Sequence, residues 1–404
     1  MNETATEAEI FNERPVVVNR PNHHYVLLEC GDGRFASYDG AKLELSSIGD
    51  DNIVWDLQGD DQFVHVKTGL HVERESTQSD SGFSIGVRPS TLNVENKIST
   101  VSLITVHGPA ELPSEYLRRL RSDGWVCLAC VLSPETLRGL EWVACTDRYA
   151  DRERTRETAI AQHISIARTV AEPISLWLIR QYLRIPDVRL SHAPGIAVLH
   201  RDDGNRNVQG WHSDFPYHWG TGHKGQVPSP SGNTILGVQR NVCISDFSKE
   251  RGATAFKLGS HKLDEPPPSE WGSAKLHARA DYRSQNGLPY SGTEADVIEA
   301  PGGSIILFDS RTWHRAGVNR TDHKRAAMLL AMTPIYVFPK NDTSRAYQAF
   351  RESEVFEQAT EREKREIENL MVHQFIGPGG EFAIAPDRDL TDSLQPERLA
   401  TSRY

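Results

Sequence analysis

The stretch between residues 195 and 338 constrains the fold most. It is a succession of short apolar runs: "GIAVLH", "TILGVQRNVCISDF", "TAFKLGSH", "ADVIEA", "GSIILFDS" and "RAAMLLAMTPIYVF". Each is the length of one strand, and Pro/Gly/Ser-rich loops such as "KGQVPSPSGN" separate them. Upstream, residues 112–183 read as a helix, a short strand and then two or three further helices. Ser133 and Pro134 mark an ordinary helix start, a capping hydroxyl followed by proline at the first helical position. Many short strands with helices packed outside predict a mainly β, α+β domain. Its core would be a double-stranded β-helix, the two-sheet jelly roll of cupin-like proteins.

The flanking regions read differently. Residues 1–15, "MNETATEAEIFNERP", are acidic and polar and are expected to be disordered. Residues 16–105 alternate apolar and polar positions between Gly/Asp-rich turns, which predicts a small antiparallel β-rich N-terminal domain. Within it, "FVHVKTGLHVER" places Val64 and Val66 on one face and His65 and Lys67 on the other, so the histidines read as solvated. The main domain is expected over residues 112–340. Residues 341–404 read as a charged helix and a C-terminal tail at the surface or at an oligomer contact.

Composition narrows the function. The chain has 404 residues and a formal net charge of −10, which argues against general affinity for nucleic acid or anionic membranes. No apolar run approaches the roughly eighteen residues needed to cross a bilayer. The first residues lack the basic-then-apolar layout of a secretory signal. Five cysteines make no disulfide framework, and the Cys127/Cys130 pair in "GWVCLACVL" reads as part of a buried strand. A reduced, cytoplasmic location is the expectation.

The chemistry concentrates in "QGWHSDFPYHWG", residues 209–220. His212 and Asp214 are two apart, so on an extended segment both side chains leave by one face. By itself that pair is either a set of metal ligands or two ordinary polar residues. His314, in "GSIILFDSRTWHRAGVNR", follows another strongly apolar strand. Two strand ends converging in one barrel would give two imidazoles and a carboxylate on one face of a metal. Such a facial triad leaves positions open for non-haem Fe(II) oxygen chemistry. Arg325 stands eleven residues past His314, at the head of the next strand. A guanidinium there can pair bidentately with the far carboxylate of a metal-chelating dicarboxylate.

At these residues the chain resembles the phytanoyl-CoA dioxygenase-like (PhyH) family of Fe(II)/2-oxoglutarate-dependent oxygenases. The likeness has four parts: "RRLRSDGWVCLACVLSPETLRGL", "GWHSDFP", "RGATAFKLGSHK" and "GSIILFDSRTWHRAGVNRTDHKRAAML". The resemblance implies that His212, Asp214 and His314 are the catalytic iron ligands and that Arg325 anchors 2-oxoglutarate. It implies an oxygenase that consumes O2 and releases succinate and CO2 while hydroxylating, or otherwise oxidising, a small molecule. Asp214 stands where related halogenases carry a small residue, which favours oxidation over halogenation. One departure is Ala316, where many members have a hydroxyl that helps bind 2-oxoglutarate.

Other readings remain. A cupin-type metal hydrolase or isomerase, or an inactive binding protein, could share the scaffold, although neither gives Arg325 a reason to follow His314 as it does. The substrate is expected to be a specialised metabolite, with Lys224 and Arg251 near the mouth able to hold one carboxylate or phosphate. His200, His218, Trp219 and His223 are candidates for neighbouring roles. Trp211, Ser213 and Trp313 should point away from the metal, and His261 has a turn position and no metal role. The N-terminal β unit and the C-terminal helix are the two candidate homodimer contacts.

Overall fold

The structure, a computed structural model, describes residues 12–76, 82–87, 94–98, 100–206, 208–217, 234–263, 265–271, 287–288, 294–377 and 380–384. The chain opens with β1 (Glu13–Val17). There follow β2 (Val26–Cys30), β3 (Phe35–Tyr38), β4 (Lys42–Ser46), β5 (Trp55–Gln58), β6 (Gln62–His65), β7 (His71–Ser76), β8 (Phe83–Val87), β9 (Glu95–Asn96) and β10 (Leu103–His107). Strands β2 to β10 form one sheet in the order β10-β8-β7-β6-β5-β2-β3-β4-β9. β10 also pairs with β2, so β2, β5, β6, β7, β8 and β10 close into a ring and cover each other's edges.

Inside that ring lie Leu28, Trp55, Phe63, Val72, Ile85 and Leu103, all buried. His65 joins them at 0% exposure, contrary to the solvated position expected from alternation. Its Nδ1 lies 2.8 Å from the Thr68 hydroxyl and its Nε2 3.1 Å from the Asn52 carbonyl, so both ring nitrogens are satisfied indoors. The expected alternation stops at His65, where β6 ends and a turn begins, so Lys67 is exposed while His65 is buried.

The larger part begins with α1 (Pro113–Asp123), β11 (Trp125–Leu128), α2 (Pro134–Ala144), α3 (Ile164–Val170) and α4 (Pro173–Leu183). Ser133 caps α2 by accepting from the Thr136 N–H, as its position suggested. Strands β12 (Val188–Leu190), β13 (Gly195–Leu199), β14 (Val238–Cys243), β15 (Ala255–Phe256), β16 (Ala295–Glu299), β17 (Ile305–Asp309), β18 (His314–Arg315) and β19 (Arg325–Pro334) complete two sheets. The major sheet runs β11-β17-β14-β19-β12, with β13 also on β19, and every pairing is antiparallel. The minor sheet runs β1-β16-β15-β18.

These two sheets are the jelly roll. One face of the major sheet, through Val238, Val242, Leu307, Met328, Leu330 and Met332, packs on the helices in the larger core. The opposite face contributes Cys127, Cys243, Ile306, Phe308 and Ala327 to a second core shared with Phe256, Ala255 and Val297 of the minor sheet. This inner layer holds the site. Cys127 and Cys130 are both buried and unpaired, and burial pushes the Cys127 thiol up to about 12, so the C-x-x-C is packing.

Two boundaries differ from the sequence reading. Residues 13–15 are not a disordered tail: β1 pairs in parallel with β16, Glu13 opposite Ala295, and so belongs to the minor sheet rather than to the N-terminal ring. After residue 341 there are three helices, α5 (Ser344–Arg351), α6 (Glu354–Gln358) and α7 (Glu361–Met371), before a hairpin of β20 (His373–Gly377) and β21 (Gly380–Ile384). Their apolar residues, among them Phe350, Ile367, Leu370 and Met371, are fully buried in the helix-side core of this same chain. α7 also clamps the N-terminal ring: Arg362 donates to the carbonyls of Gly33 at 2.7 Å and Ala171 at 2.8 Å.

Candidate metal centre

The site is built from backbone pairing first. His212 and His314 form an antiparallel bridge in which each N–H donates to the other's carbonyl, at 3.0 and 2.9 Å. Directly opposed residues project their side chains to one face, and the two imidazole centroids are 4.2 Å apart. Asp214 is two residues on; its N–H donates to the Ser310 carbonyl at 2.9 Å, and its carboxylate turns to the same face. Trp211 and Trp313 therefore turn the other way and pack on Trp271 at 5.7 and 5.8 Å. Ser213 also points away, donating to the Arg311 carbonyl.

The three side chains fit a metal ion. Their ligand atoms all lie within 4.8 Å of one another. Asp214 offers one oxygen to each imidazole: Oδ1 is 3.7 Å from His212 Nε2, and Oδ2 is 3.1 Å from His314 Nε2. Donors about 2.1 Å from one ion and at right angles to each other would stand about 3 Å apart. The outer ring nitrogens are already committed: Nδ1 of His212 lies 2.8 Å from the Gly210 carbonyl, and Nδ1 of His314 lies 2.9 Å from the Thr312 carbonyl. Each carbonyl takes the Nδ1 proton and so turns Nε2 inward as the coordinating nitrogen.

Electrostatics agree. Burial alone would raise the Asp214 carboxyl, but the charge and hydrogen bond of His314, then His212 and Lys340, hold it well below the usual carboxylate range. Burial would lower His314, yet Asp214 raises it above an ordinary histidine. The site is a pre-formed anion between two imidazoles. His314 also rests on Phe308 and Phe256, ring centroids 5.3 and 5.9 Å away, which wall it from solvent.

Arg325 opens β19 opposite Leu199 and is only 7% exposed. Its guanidinium lies 4.9 Å from the Phe247 ring, and Nη2 donates to the Gly252 carbonyl at 3.0 Å, while Nε has no partner among the described residues. Burial pulls its pKa down to about 10, and no carboxylate among the described residues opposes this. Phe247 belongs to the same inner layer as Phe256 and Phe308, which touch His314, so Arg325 and the triad border one apolar wall.

The remaining expected residues separate. His261 is buried against Gly124, whose left-handed φ of 74° ends α1 and whose absent Cβ would sit 2.3 Å from the imidazole, so it is packing. His200 is exposed, and Arg251 is half-buried, its backbone bridged to Asn319. His218, Trp219, His223 and Lys224 lie outside the described residues. At Ala316, which has no side-chain hydroxyl, the backbone N–H donates to the Gln209 carbonyl at 3.0 Å and the carbonyl accepts from Arg315 Nη1 at 3.4 Å.

Several contributors escaped the sequence reading. Along β14, Val238, Arg240 and Val242 turn to the helices, which leaves Gln239 and Asn241 polar on the inner face. Gln239 donates to the Ser310 hydroxyl at 3.0 Å, beside the carbonyl that holds Asp214. Behind the ligands, Arg315 is 1% exposed in its side chain, ion-paired to Glu13 at 2.8 Å and 5.4 Å from the Trp211 ring. Strict alternation in "VQRNVC" was the available signal for the first pair; the second joins residues 302 positions apart and had none.

The family model for phytanoyl-CoA dioxygenase (PhyH) matches residues 120–327, just over half of the chain. The chain belongs to the PhyH family. Enzymes of the PhyH family work with Fe(II) and 2-oxoglutarate, the cofactors that this donor set suits. Among curated relatives, dioxygenase hkm4 of Aspergillus hancockii is 28% identical over 145 residues, 35% of this chain and 38% of that one. Dioxygenase cdmA of Talaromyces verruculosus is 27% identical over 112 residues, 27% of this chain and 30% of that one. The chain thus spans only about a third of the length of these relatives. Among solved structures, HygX from Streptomyces hygroscopicus with nickel and 2-oxoglutarate is 16% identical with a TM-score of 0.40, covering 57% of this chain and 90% of that one. The epimerase SnoN with Fe3+, alpha-ketoglutarate and nogalamycin RO is 20% identical with a TM-score of 0.38, covering 55% and 84%. These two likenesses are too loose to bear on the chemistry of this chain. No described helix is long and apolar enough to cross a membrane.

Proposed function

We propose that this PhyH-family protein is an oxygenase that oxidises a small molecule, most simply by hydroxylation, while converting 2-oxoglutarate and O2 to succinate and CO2. The observation that carries the reading is the convergence of His212, Asp214 and His314 within 4.8 Å, with both Nδ1 protons held by backbone carbonyls. In this reading those three residues would hold Fe(II). Arg325 receives the distal carboxylate of 2-oxoglutarate, which supplies the counter-charge that its buried guanidinium lacks. Phe247, Phe256 and Phe308 keep water from the space between. The bound iron and 2-oxoglutarate supply the oxidising power, and the chain's own residues bind, orient and exclude solvent.

A metal hydrolase or isomerase on the same scaffold would leave Arg325 buried with no anion. A halogenase would need room where the Asp214 carboxylate stands. The test is anaerobic reconstitution with Fe(II) and 2-oxoglutarate, then admission of O2 with succinate measured across a panel of metabolites. Wild type should make succinate with at least one candidate and His212→Ala with none. No excess over His212→Ala, together with no 2-oxoglutarate binding, would sink the proposal.

A further inference from the structure

Arg325 is not alone as a buried cation on the inner face. Arg189, in the middle of β12, is 3% exposed. Its neighbours Val188 and Leu190 turn into the helix-side core, so Arg189 turns to the face that carries the site. Its Nη1 donates to the Ile335 carbonyl at 3.3 Å, but Nε and Nη2 have no hydrogen-bond partner among the described residues. Two buried hydroxyls lie on the same face. Thr333 stands directly across from Arg189, and Ser191 is two residues on, just past the end of β12; both are 0% exposed, and neither hydroxyl has a partner among the described residues. Burial lowers Arg189 to about 10, with no acidic group among the described residues to offset it.

A buried guanidinium without a counter-ion is costly, and folded chains seldom keep one without a use for it. The Nε/Nη2 edge left open is the one that presents two parallel N–H donors to a carboxylate. We infer that Arg189, Ser191 and Thr333 form a subsite for a carboxylate of the substrate. The inference rests on the oxygenase reading above and deepens it, because it fixes a class of substrate.

Register gives the scale. Phe308, which touches His314, pairs with Gln239; Gln239 pairs with Ala331; and the Ser191 N–H donates to the Ala331 carbonyl. That row crosses three strand spacings, about 14 Å. The substrate is therefore an elongated acid, its carboxylate on the order of 10–15 Å from the carbon presented to the metal, a span of three strands. Between them the floor is Ala331 and Leu329, with Asn241 and Gln239 as the polar positions.

Straight-chain carboxylates from octanoate to tetradecanoate, each against its methyl ester, are the probes. Calorimetric titration uses wild type loaded with Fe(II) and 2-oxoglutarate without O2, and also the metal-free protein. At least one acid should bind ten times more tightly than its ester. Arg189→Met should abolish the preference, and Arg189→Lys, which keeps the charge but loses the fork, should weaken it. Affinity for 2-oxoglutarate should not change in either. Arg189→Met should also melt higher than wild type, because it removes an uncompensated buried charge; a purely structural arginine would give a lower melting temperature. Acids binding no better than esters, or an acid preference surviving in Arg189→Met, overturns the inference. If acids bind through Arg189 while Fe(II) and 2-oxoglutarate do not bind, the oxygenase reading fails alone. If both cofactors bind and no acid is preferred, the subsite fails alone.

Discussion

His314 carries two opposed demands. Without metal its Nε2 sits 3.1 Å from Asp214, which favours the protonated ring; with metal the same nitrogen must give up that proton. Metal binding therefore releases a proton below the raised range of His314. Affinity for Co(II), a convenient stand-in for Fe(II), should fall about tenfold per pH unit there and level off above it. Titrations between pH 5.5 and 8 measure this, and a flat profile would mean that His314 is not a ligand. At this scale much of the site was legible, because His212, Asp214, His314 and Arg325 carry their chemistry in residue type and spacing. Arg189 was not: an arginine between Val188 and Leu190 reads as an ordinary outward charge, yet it is 3% exposed on the face away from the helices.

β1 is the element whose place the sequence least announced. Glu13 lies in an acidic, polar start, yet its side chain is 3% exposed and pairs with Arg315, the residue after His314. Arg315 in turn lies against Trp211, the residue before His212. Removing one partner of such a buried pair costs about 3–5 kcal/mol, because the other charge is left stranded. Glu13→Ala should thus unfold at markedly lower urea and bind Co(II) more weakly, while Glu13→Ala combined with Arg315→Met should recover most of the stability. Equal urea midpoints for Glu13→Ala and wild type would show that the pair holds nothing. The charged C-terminal stretch shows the same limit: its polar residues were obvious, but Ile367, Leu370 and Met371 disclosed their partners only once the helix layer was in view.

At the scale of the whole molecule, a buried histidine and a half-buried glutamate in the N-terminal ring pull stability in opposite directions with pH. His65 is lowered by burial to about 4, so an unfolded chain takes up its proton first as pH falls, and stability drops between about 6.5 and 4. Glu29 is raised by burial to about 7, so the folded chain keeps a proton that the unfolded chain has lost, and stability drops as pH rises from about 4.5 to 7. The first effect amounts to about 2–3 kcal/mol and the second, at a partly exposed residue, to about 1–2 kcal/mol. Denaturation of wild type, His65→Gln and Glu29→Gln across pH 4–8 separates them: the first variant should flatten the acid limb and the second the neutral limb. The jelly roll itself was legible from its strand rhythm, while the closure of the ring and the exchange of β1 into the other sheet are long-range pairings that no local pattern encodes. The central claim, that one inner layer holds both a metal and the far carboxylate of 2-oxoglutarate, is tested most directly at Arg325. In metal-loaded Arg325→Ala, 2-oxoglutarate should bind at least a hundredfold more weakly while metal affinity matches wild type. Equal loss of both, or loss of neither, would contradict it.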